Sequence, residues 1–418
     1  MKTVFVIITT LFMTGFVSAG IGPVEIVDRD STCLLSLKFA GQLRCQFESN
    51  DKGGSTNRSE KVYMEARRIR PVMSLTLREY NLSFRLHLST APGSLELMDF
   101  YFDYHCKRKL SFRLGQYKVP FTRYRIQSFQ RLTLADWAAV TKYFGAERQF
   151  GVAVHNGYEK PPPWGYAIGL FTGVNARASH AVGLETIYGE PISNPSDLAD
   201  AGTRSEFHPE LFVHLSYIHG NMDIASDTDA RMTGLRWFLA AGAAWDFKPV
   251  LYRDLRLRLA QEVMVKYRGL AMTAIVYAGY VREKISKDNK LAMQGGLIQG
   301  AWRVNKSWEL AGRLALIDLS DWLIDDAYAR AQQLISAAQE ALDNADEKEL
   351  AQLYLDEIQR VYRNAGRVRR EQEFLLGINI YFDGHYLKLQ NDFGWLKHTL
   401  RDESREDYII RLQLQVAF

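Results

Sequence analysis

Arginine side chains recur at matched positions in this sequence, on one side of segments in which apolar and polar residues alternate. Arg68 and Arg70 lie two residues apart in one segment, and Arg85 and Arg113 take the corresponding side of two later segments. A guanidinium offers a fork of N–H donors that matches the oxygens of phosphate and carboxylate groups. Fixed positive groups lining a narrow, partly dewatered path would therefore favour the passage of anions.

Further basic residues share this inward side, or fall in the long connection after the fifth segment. They are Arg258, Lys266 and Arg313 in later segments, and Arg123, Arg125 and Arg131 in the connection. Acidic residues take the inward side as well, at Asp99, Asp103, Glu262, Glu309, Glu373 and Asp392. For any single arginine, pairing with a carboxylate on a neighbouring strand is therefore an alternative to contact with a permeating ion.

The elements that would position these residues follow from an apolar period of two. Residues 408–418 have an apolar side chain at every second position, with Arg411, Gln413 and Gln415 between them. This pattern is typical of a β-strand with lipid on one face and water on the other. Sixteen such segments are predicted, at 35–48, 63–77, 82–91, 95–106, 110–119, 148–157, 164–174, 208–220, 236–247, 256–268, 270–284, 290–304, 308–319, 371–383, 386–397 and 407–418. The predicted fold class is all-β, a transmembrane antiparallel barrel of about sixteen strands.

The connections between these segments agree with a barrel whose two chain ends share one side of the membrane. The long connections 120–147, 175–207 and 320–370 then all fall on the opposite, outer side. The connection 221–235 is the exception, because it is too long for a periplasmic turn, and one interpretation is that it conceals longer strands. In the Gly- and Ala-rich segment 290–304, either set of alternate side chains could face the lumen, so the register of this strand stays open.

Residues 325–369 change to a period of three and four, which predicts two amphipathic helices. Asp346 and Glu349 have the spacing of a capping box for the second helix, and Gly366 can end it. The pattern predicts a helical hairpin that projects from the outer face. A rigid loop decoration, a gate, a subunit clamp and a partner-binding arm remain as interpretations.

The start of the chain has the features of a secretion signal. Residues 1–19 contain one lysine, an apolar core and a small-residue ending, and this core is shorter than the roughly 20 residues of a membrane-spanning helix. We therefore expect a signal peptide at 1–19, a periplasmic N-terminal segment at 20–34 and the barrel domain at 35–418.

Charge and cysteine usage disfavour several classes of function. The chain has 52 basic and 48 acidic residues, a balance that gives no reason to expect nucleic acid as a partner. Cys33, Cys45 and Cys106 lack metal, haem or redox spacing, and a disulfide between any two of them stays open. No nucleophile motif accompanies the histidines of inward parity. We expect no enzymatic activity, no cofactor and no metal.

Several motifs resemble the phosphate-selective porins of the O and P type. The clearest is RLGQYKVPF at 113–121, and it is joined by FAGQL at 39–43, RRIR at 67–70, FGVAV at 150–154 and YAIGLFTG at 166–173. The chain departs from the family pattern at Gln149, at Thr122 and in the helical insertion. The resemblance covers roughly residues 35–174.

The resemblance implies a sixteen-stranded, homotrimeric barrel whose third loop folds inward to narrow the pore. It also implies that Lys118 faces the lumen, although its parity is opposite to that of Arg113. The terminal Phe418 resembles the residue by which the barrel-assembly machinery engages its substrates.

The predicted function is that of a porin in the cell outer membrane, in contact with its lipid, through which small inorganic anions such as phosphate diffuse along an Arg- and Lys-lined constriction. The alternative is a structural or adhesin-like barrel that binds a partner through the helical loop. A soluble β-sandwich also has alternating strands, but it gives no reason for an apolar-alternating strand that ends in an aromatic residue.

Overall fold

The structure is a computed structural model, and it describes residues 23–51, 58–90, 95–107, 109–145, 148–157, 159–172, 209–247, 257–282, 289–320, 336, 369–399 and 404–418. The predicted signal peptide 1–19 and the predicted connection 175–207 lie outside these residues. So does the predicted helical hairpin 325–369, apart from Ser336 and Arg369. Among the described residues, no helix is both long and apolar enough to span a bilayer.

Sixteen antiparallel strands form a closed ring, as the alternation predicts. The last strand, Ser404–Ala417, pairs with the first strand of the ring, Cys33–Asp51, between Ala417 and Ala40 at one end and Tyr408 and Ser49 at the other, which closes the barrel. The strands are β2 Cys33–Asp51, β3 Arg58–Leu77, β4 Leu82–Ser89, β5 Glu96–Lys107, β6 Leu110–Lys118, β7 Arg148–His155, β8 Trp164–Phe171, β9 Glu210–His219, β10 Arg236–Asp246, β11 Leu257–Tyr267, β12 Leu270–Arg282, β13 Asn289–Arg303, β14 Trp308–Leu319, β15 Arg370–Asp383, β16 Leu387–Thr399 and β17 Ser404–Ala417. Each of the sixteen predicted segments corresponds to one of them.

A short strand precedes the ring. β1, Val24–Val27, pairs antiparallel with Leu34–Leu37 at the start of β2. Four residues are too few for a period of two to be recognised, so alternation does not indicate this strand. It lies at the rim where β2 begins and β17 ends, which we call the terminal rim.

The two faces of the barrel differ as a membrane wall requires. On β17, Leu412 and Leu414 are 46% and 36% exposed on the outside, whereas Gln413 and Gln415 are 0% exposed on the inside. Trp164 and Trp308 are 72% and 47% exposed on the outer surface near strand ends. Aromatic side chains at these levels are typical of the girdles at the two membrane interfaces.

The last residue extends the seam that closes the barrel. The Phe39 N–H donates to the Phe418 carbonyl oxygen at 2.7 Å, and the Phe418 N–H donates to the Phe39 carbonyl oxygen at 3.0 Å. The two rings stack with their centroids 5.1 Å apart. Phe418 therefore has a structural role in the seam; its role as an assembly signal stays a prediction.

A bulge in β3 explains why two successive arginines face the lumen. Gln42 pairs with Arg68 and Leu43 with Ala66, so Arg67 is the extra residue between them. An extra residue shifts the alternation by one position. Arg67 and Arg68 both reach toward the interior as a result.

Candidate functional site

The third loop, residues 119–145 of the described chain, folds from the end of β6 into the lumen, as the resemblance implies. It contains α1, Arg123–Ile126, a 3-10 turn, Phe129–Arg131, and α2, Ala139–Phe144. Its fully buried apolar side chains include Val119, Phe121, Tyr124, Val140 and Phe144. The Phe144 ring stacks on Tyr277 of β12 with 5.0 Å between centroids. Burial of apolar surface thus holds the loop against one side of the wall.

Small residues on that side of the wall make room for the loop. A Cβ added to Gly295 of β13 would lie 2.8 Å from Val140 Cγ2 and 3.1 Å from Phe144 Cε2. A Cβ on Gly242 of β10 would collide with the Phe121 carbonyl oxygen. The register of the Gly- and Ala-rich segment 290–304, which the sequence leaves open, is now defined, because Leu297, Gln299 and Ala301 face the lumen at 3%, 3% and 2% exposure.

Asp136 fixes the other side of the third loop to the wall. Its carboxylate accepts hydrogen bonds from Arg44 at 2.7 Å, Arg68 at 2.5 Å and Arg411 at 3.4 Å, and Arg67 lies 4.0 Å away. Burial alone would raise the pKa of Asp136, but the arginines hold it well below its ordinary value. Arg68, predicted to contact anions, therefore has its guanidinium engaged by a loop carboxylate.

Beside the loop, the wall formed by β2–β7 encloses a cavity of about 300 Å³. Its basic lining residues are Lys38, Arg70, Arg85, Arg113, Lys118, Arg123, Arg131, Arg148 and Lys160. The acidic residues on its lining are Asp99 and Glu159. A partly enclosed space with this excess of positive charge raises the local concentration of anions.

Two of the predicted residues, Arg70 and Arg85, face this cavity without a carboxylate partner within the described part of the chain. The Nε atom of each is buried and has no hydrogen-bond partner among the described residues. The Arg70 guanidinium lies 4.9 Å from the centroid of the Phe129 ring, a cation–π distance. A guanidinium stays charged in proteins, so the two residues add fixed positive charge to the lining of the cavity.

Arg113 lines the same cavity but is neutralised. Its guanidinium donates to Asp103 at 2.5 Å and to Glu159 at 2.8 Å, and it stacks 4.1 Å from the centroid of the Tyr101 ring. Burial raises the pKa of Glu159, but Arg113 and Arg85 lower it by more, so the carboxylate is held in its charged form. Arg113 therefore fits the alternative interpretation of a wall arginine paired across strands.

Lys118 reaches the lumen from the end of β6. This agrees with the resemblance, whereas the parity of Lys118 along the strand predicts the opposite face. The Lys118 Nζ donates to the backbone carbonyl oxygens of Arg125, Ile126 and Gln127 at 3.1, 3.3 and 2.9 Å. A lysine has three donors, and these carbonyls can accept all of them. Lys118 consequently supports the end of α1 from the lining of the cavity.

The three predicted arginines of the third loop have different surroundings. Arg125 stacks 4.8 Å from the centroid of the Trp137 ring. Arg131 pairs with Asp223 at 2.8 Å where both side chains are more than a third exposed. Arg123 is 3% exposed and is bound on both sides by carboxylates.

The predicted residues of the later strands lie away from this cavity, where the loop packs on the wall. Arg258, Lys266 and Arg313 are at most 5% exposed, and none of them lines the cavity of about 300 Å³. Their partners are Glu210 for Arg258, Glu373 at 2.5 Å for Arg313, and backbone carbonyls for Lys266. Their contact with anions stays a prediction.

Four residues of the cavity and its border are absent from the predicted set. Lys38 has the inward parity of Gln42 on β2 and could be found by extending the strand pattern. Arg148 is the first residue of β7, where parity alone says little. Lys160 and Asp136 lie in connections, which have no period to show which side chains turn inward.

Cysteines and metal ligands add no second site to the described chain. Cys33, Cys45 and Cys106 are free thiols in this structure. Within the described ranges, no group of three His, Cys, Asp or Glu side chains has the geometry to hold a metal ion.

The closed sixteen-stranded ring, its apolar exterior and its polar lumen define an outer-membrane β-barrel channel of the porin class. Sequence comparison is consistent with this class: residues 37–189 match the family described as phosphate-selective porin O and P. No curated protein matches the chain.

Solved structures with the same fold include the outer membrane channel DcaP of Acinetobacter baumannii, at 11% identity and a TM-score of 0.55, covering 94% of this chain and 99% of that one. The high-pH structure of OprB of Pseudomonas putida has 10% identity and a TM-score of 0.55, covering 93% of this chain and 95% of that one. At these identities the likeness shows the fold.

Proposed function

We propose that this porin lets small anions such as phosphate diffuse across the outer membrane through the cavity beside the third loop. The observation that carries the proposal is the pair Arg70 and Arg85, whose guanidiniums face the cavity with no carboxylate partner in the described part of the chain. The surrounding charge supports it, since Lys38, Arg148 and Lys160 line the same space.

The energetic reason is that positive charge in a low-dielectric wall is unfavourable until a counterion approaches. Arg113 forms ion pairs with Asp103 and Glu159, whereas no carboxylate of the described residues forms an ion pair with Arg70 or Arg85. An anion in the cavity would complete their hydrogen bonds and compensate their charge. A cation would meet the same field as a barrier.

The path continues toward the terminal rim. A second cavity of about 340 Å³ shares Arg131, Glu159, Lys160 and Ile224 with the first one. Lys160 and Arg131 therefore border both spaces, so positive charge accompanies an ion from the first cavity into the second.

The test is the reversal potential of purified protein in a planar bilayer under a gradient of potassium chloride, followed by addition of phosphate. We expect anion preference in the wild type and inhibition of the chloride current by phosphate. The double variant Arg70→Ala with Arg85→Ala should shift the reversal potential toward cation preference.

A matched control removes two arginines from the terminal rim, Arg29→Ala with Arg78→Ala, since both are exposed and neither lines either of the two cavities of the proposed path. This control should keep the wild-type reversal potential. Equal reversal potentials for all three proteins would contradict the proposed path.

Three further parts of the proposal concern assembly. We propose that the barrel forms a homotrimer, that outer-membrane lipid covers its apolar belt, and that Phe418 is read by the barrel-assembly machinery. Deletion of Phe418 should lower the amount of folded barrel in the membrane, whereas deletion of residues 20–23, which precede β1, should not.

The alternative of a structural or adhesin-like barrel depends on the insertion 325–369, of which the structure describes only Ser336 and Arg369. The same bilayer measurement separates the two functions. Bilayers that stay closed with correctly folded protein would favour the adhesin-like role, and ion steps favour the porin.

A further inference from the structure

The connection between β9 and β10, residues 220–235, does not form the short turn expected at the terminal rim. His219 pairs directly with Trp237, so a connection of a few residues would join the two strands. Instead the segment folds into the lumen, and its most buried side chains are Ile224, Ser226, Asp227, Thr228 and Asp229, at 1–5% exposure. The interpretation that this connection conceals longer strands is therefore wrong. We call residues 220–235 the inner turn.

The wall holds the inner turn by polar contacts from three strands. The Lys266 Nζ of β11 donates to the carbonyl oxygens of Asp223, Ser226 and Thr228 at 2.7, 2.7 and 2.9 Å. The Thr228 hydroxyl donates to Glu309 of β14. Arg236 of β10 donates to Asp229 at 2.7 Å. All three donors of a buried lysine are thus engaged by one segment, which gives the inner turn a defined place.

Asp227 connects the inner turn to the third loop. Its side chain is 0% exposed and accepts from Arg123 at 3.0 Å and from Gln127 at 2.7 Å. Arg123 also donates to the Ile224 carbonyl oxygen at 3.0 Å and to Glu262 of β11 at 2.6 Å. The start of the third loop is therefore held between the wall and the inner turn.

This position places the inner turn along the proposed anion path. Ile224 and Ala225 line the cavity that contains Arg70 and Arg85. Met222, Asp223 and Ile224 line the second cavity, of about 340 Å³, nearer the terminal rim. The inner turn thus borders both cavities, and removing it would join them over a wider cross-section.

From these contacts we propose that the inner turn is a second constriction element, and that Asp227 is a positioning residue that sets the width and anion preference of the path by fixing the third loop. The inference rests on the proposed anion path. Its physical basis is that a hairpin of this register needs no such segment. Burying Asp227 and Arg123 carries a desolvation cost that closing the hairpin does not require, and their ion pair joins the inner turn to the third loop. A barrel with a short turn would close equally well and leave the third loop held from the wall alone.

The main test replaces residues 220–236 with the two-residue turn Asn-Gly, which suits a tight antiparallel connection. Single-channel conductance in a planar bilayer should rise at least about twofold, because conduction follows the narrowest cross-section of the pore. The reversal potential should move toward zero. The amount of folded barrel is measured as the fraction of the protein that resists unfolding by detergent in an unheated sample.

A milder variant, Asp227→Asn, keeps the inner turn and weakens its contact with the third loop. We expect a conductance between those of the wild type and the turn replacement, with larger current fluctuations. The matched control is Asp318→Asn, which removes one arginine-paired acid at the opposite rim and touches neither the loop nor the inner turn. It should behave as the wild type.

The outcomes separate this inference from the proposed function. An anion-selective wild type whose conductance and selectivity are unchanged by both inner-turn variants overturns the inference and leaves the anion path standing. A wild type without anion preference overturns the proposed function, and the inference with it. If the turn replacement does not assemble, Asp227→Asn decides, and conductance equal to that of Asp318→Asn counts against the inference.

Discussion

The two sides of the lumen use the same residue type in opposite ways. On the side of the cavity, Arg70 and Arg85 face open space with no carboxylate partner in the described chain. On the side where the third loop packs, Arg258 and Arg313 are bound to Glu210 and Glu373. All four are inward-facing residues of strands. The difference lies in what the loop covers, so inward parity identifies a charge in the lumen but not its role.

The physical consequence is a division between stability and selectivity. On the packed side, each buried arginine is paired with a carboxylate. Removing the arginine destabilises the barrel mainly because the carboxylate is then left buried without a partner. An arginine without such a partner contributes little to folding but acts on ions in the cavity. Substitutions on the two sides should therefore affect different measurements.

The largest expected effect is on the packed side, from Arg313→Ala. Arg313 is 2% exposed and donates to Glu373 at 2.5 Å, so its loss leaves a buried carboxylate without its partner. Breaking such a pair costs about 3–5 kcal/mol. The measurement is the temperature at which the detergent-resistant barrel unfolds.

The control for this prediction is Arg370→Ala. Arg370 pairs with Asp318 at 3.0 Å, but its side chain is 48% exposed at the rim. An exposed pair contributes at most about 1 kcal/mol. Equal losses of heat stability in the two variants would remove the distinction between packed and exposed pairs.

On the cavity side, Arg70→Ala should weaken the inhibition of chloride current by phosphate without lowering the unfolding temperature. Hydrogen bonds to charged groups contribute about 1.5–3 kcal/mol, which corresponds to roughly 10- to 100-fold in the phosphate concentration that gives half inhibition. Arg70→Lys keeps the charge but loses the fork of donors, so it should lie between the wild type and alanine. If both Arg70 variants are inhibited by phosphate as strongly as the wild type, phosphate does not bind at Arg70.

The sequence determines the ring almost completely but only part of this division. Alternation predicts all sixteen strands, because a wall between lipid and water imposes a period of two on every segment. It does not show that Arg113 forms an ion pair with Asp103 while Arg85 forms no ion pair in the described chain, since ion pairs depend on strand register and on the loops. Alternation does not predict the positions of Asp136, Lys160 and Asp227, because these residues lie in connections, which have no period.

A smaller effect is expected where a glycine lets the loop approach the wall. Gly295→Ala places a Cβ 2.8 Å from Val140 Cγ2 and 2.7 Å from the Leu316 carbonyl oxygen. Overpacking of this kind lowers the free energy of unfolding by at least about 1 kcal/mol, and the unfolding temperature falls with it. Gly300 on the same strand has nothing within 4 Å of an added Cβ, so Gly300→Ala is the control. Similar unfolding temperatures for the two variants would show that α2 does not pack against β13.

The smallest effect is the response of the third loop to pH. The pKa of Asp136 lies well below its ordinary value, because Arg68, Arg44 and Arg411 together outweigh the effect of burial. A lowered pKa means that the charged carboxylate stabilises the folded barrel fully above the ordinary value of about 3.9, and that this contribution is lost as the pH falls through the lowered pKa. The difference in unfolding temperature between the wild type and Asp136→Asn should therefore stay constant from about pH 7 to pH 5 and shrink only in stronger acid. A difference that already shrinks above pH 5 would mean that Asp136 gains a proton there, which four neighbouring arginines do not allow.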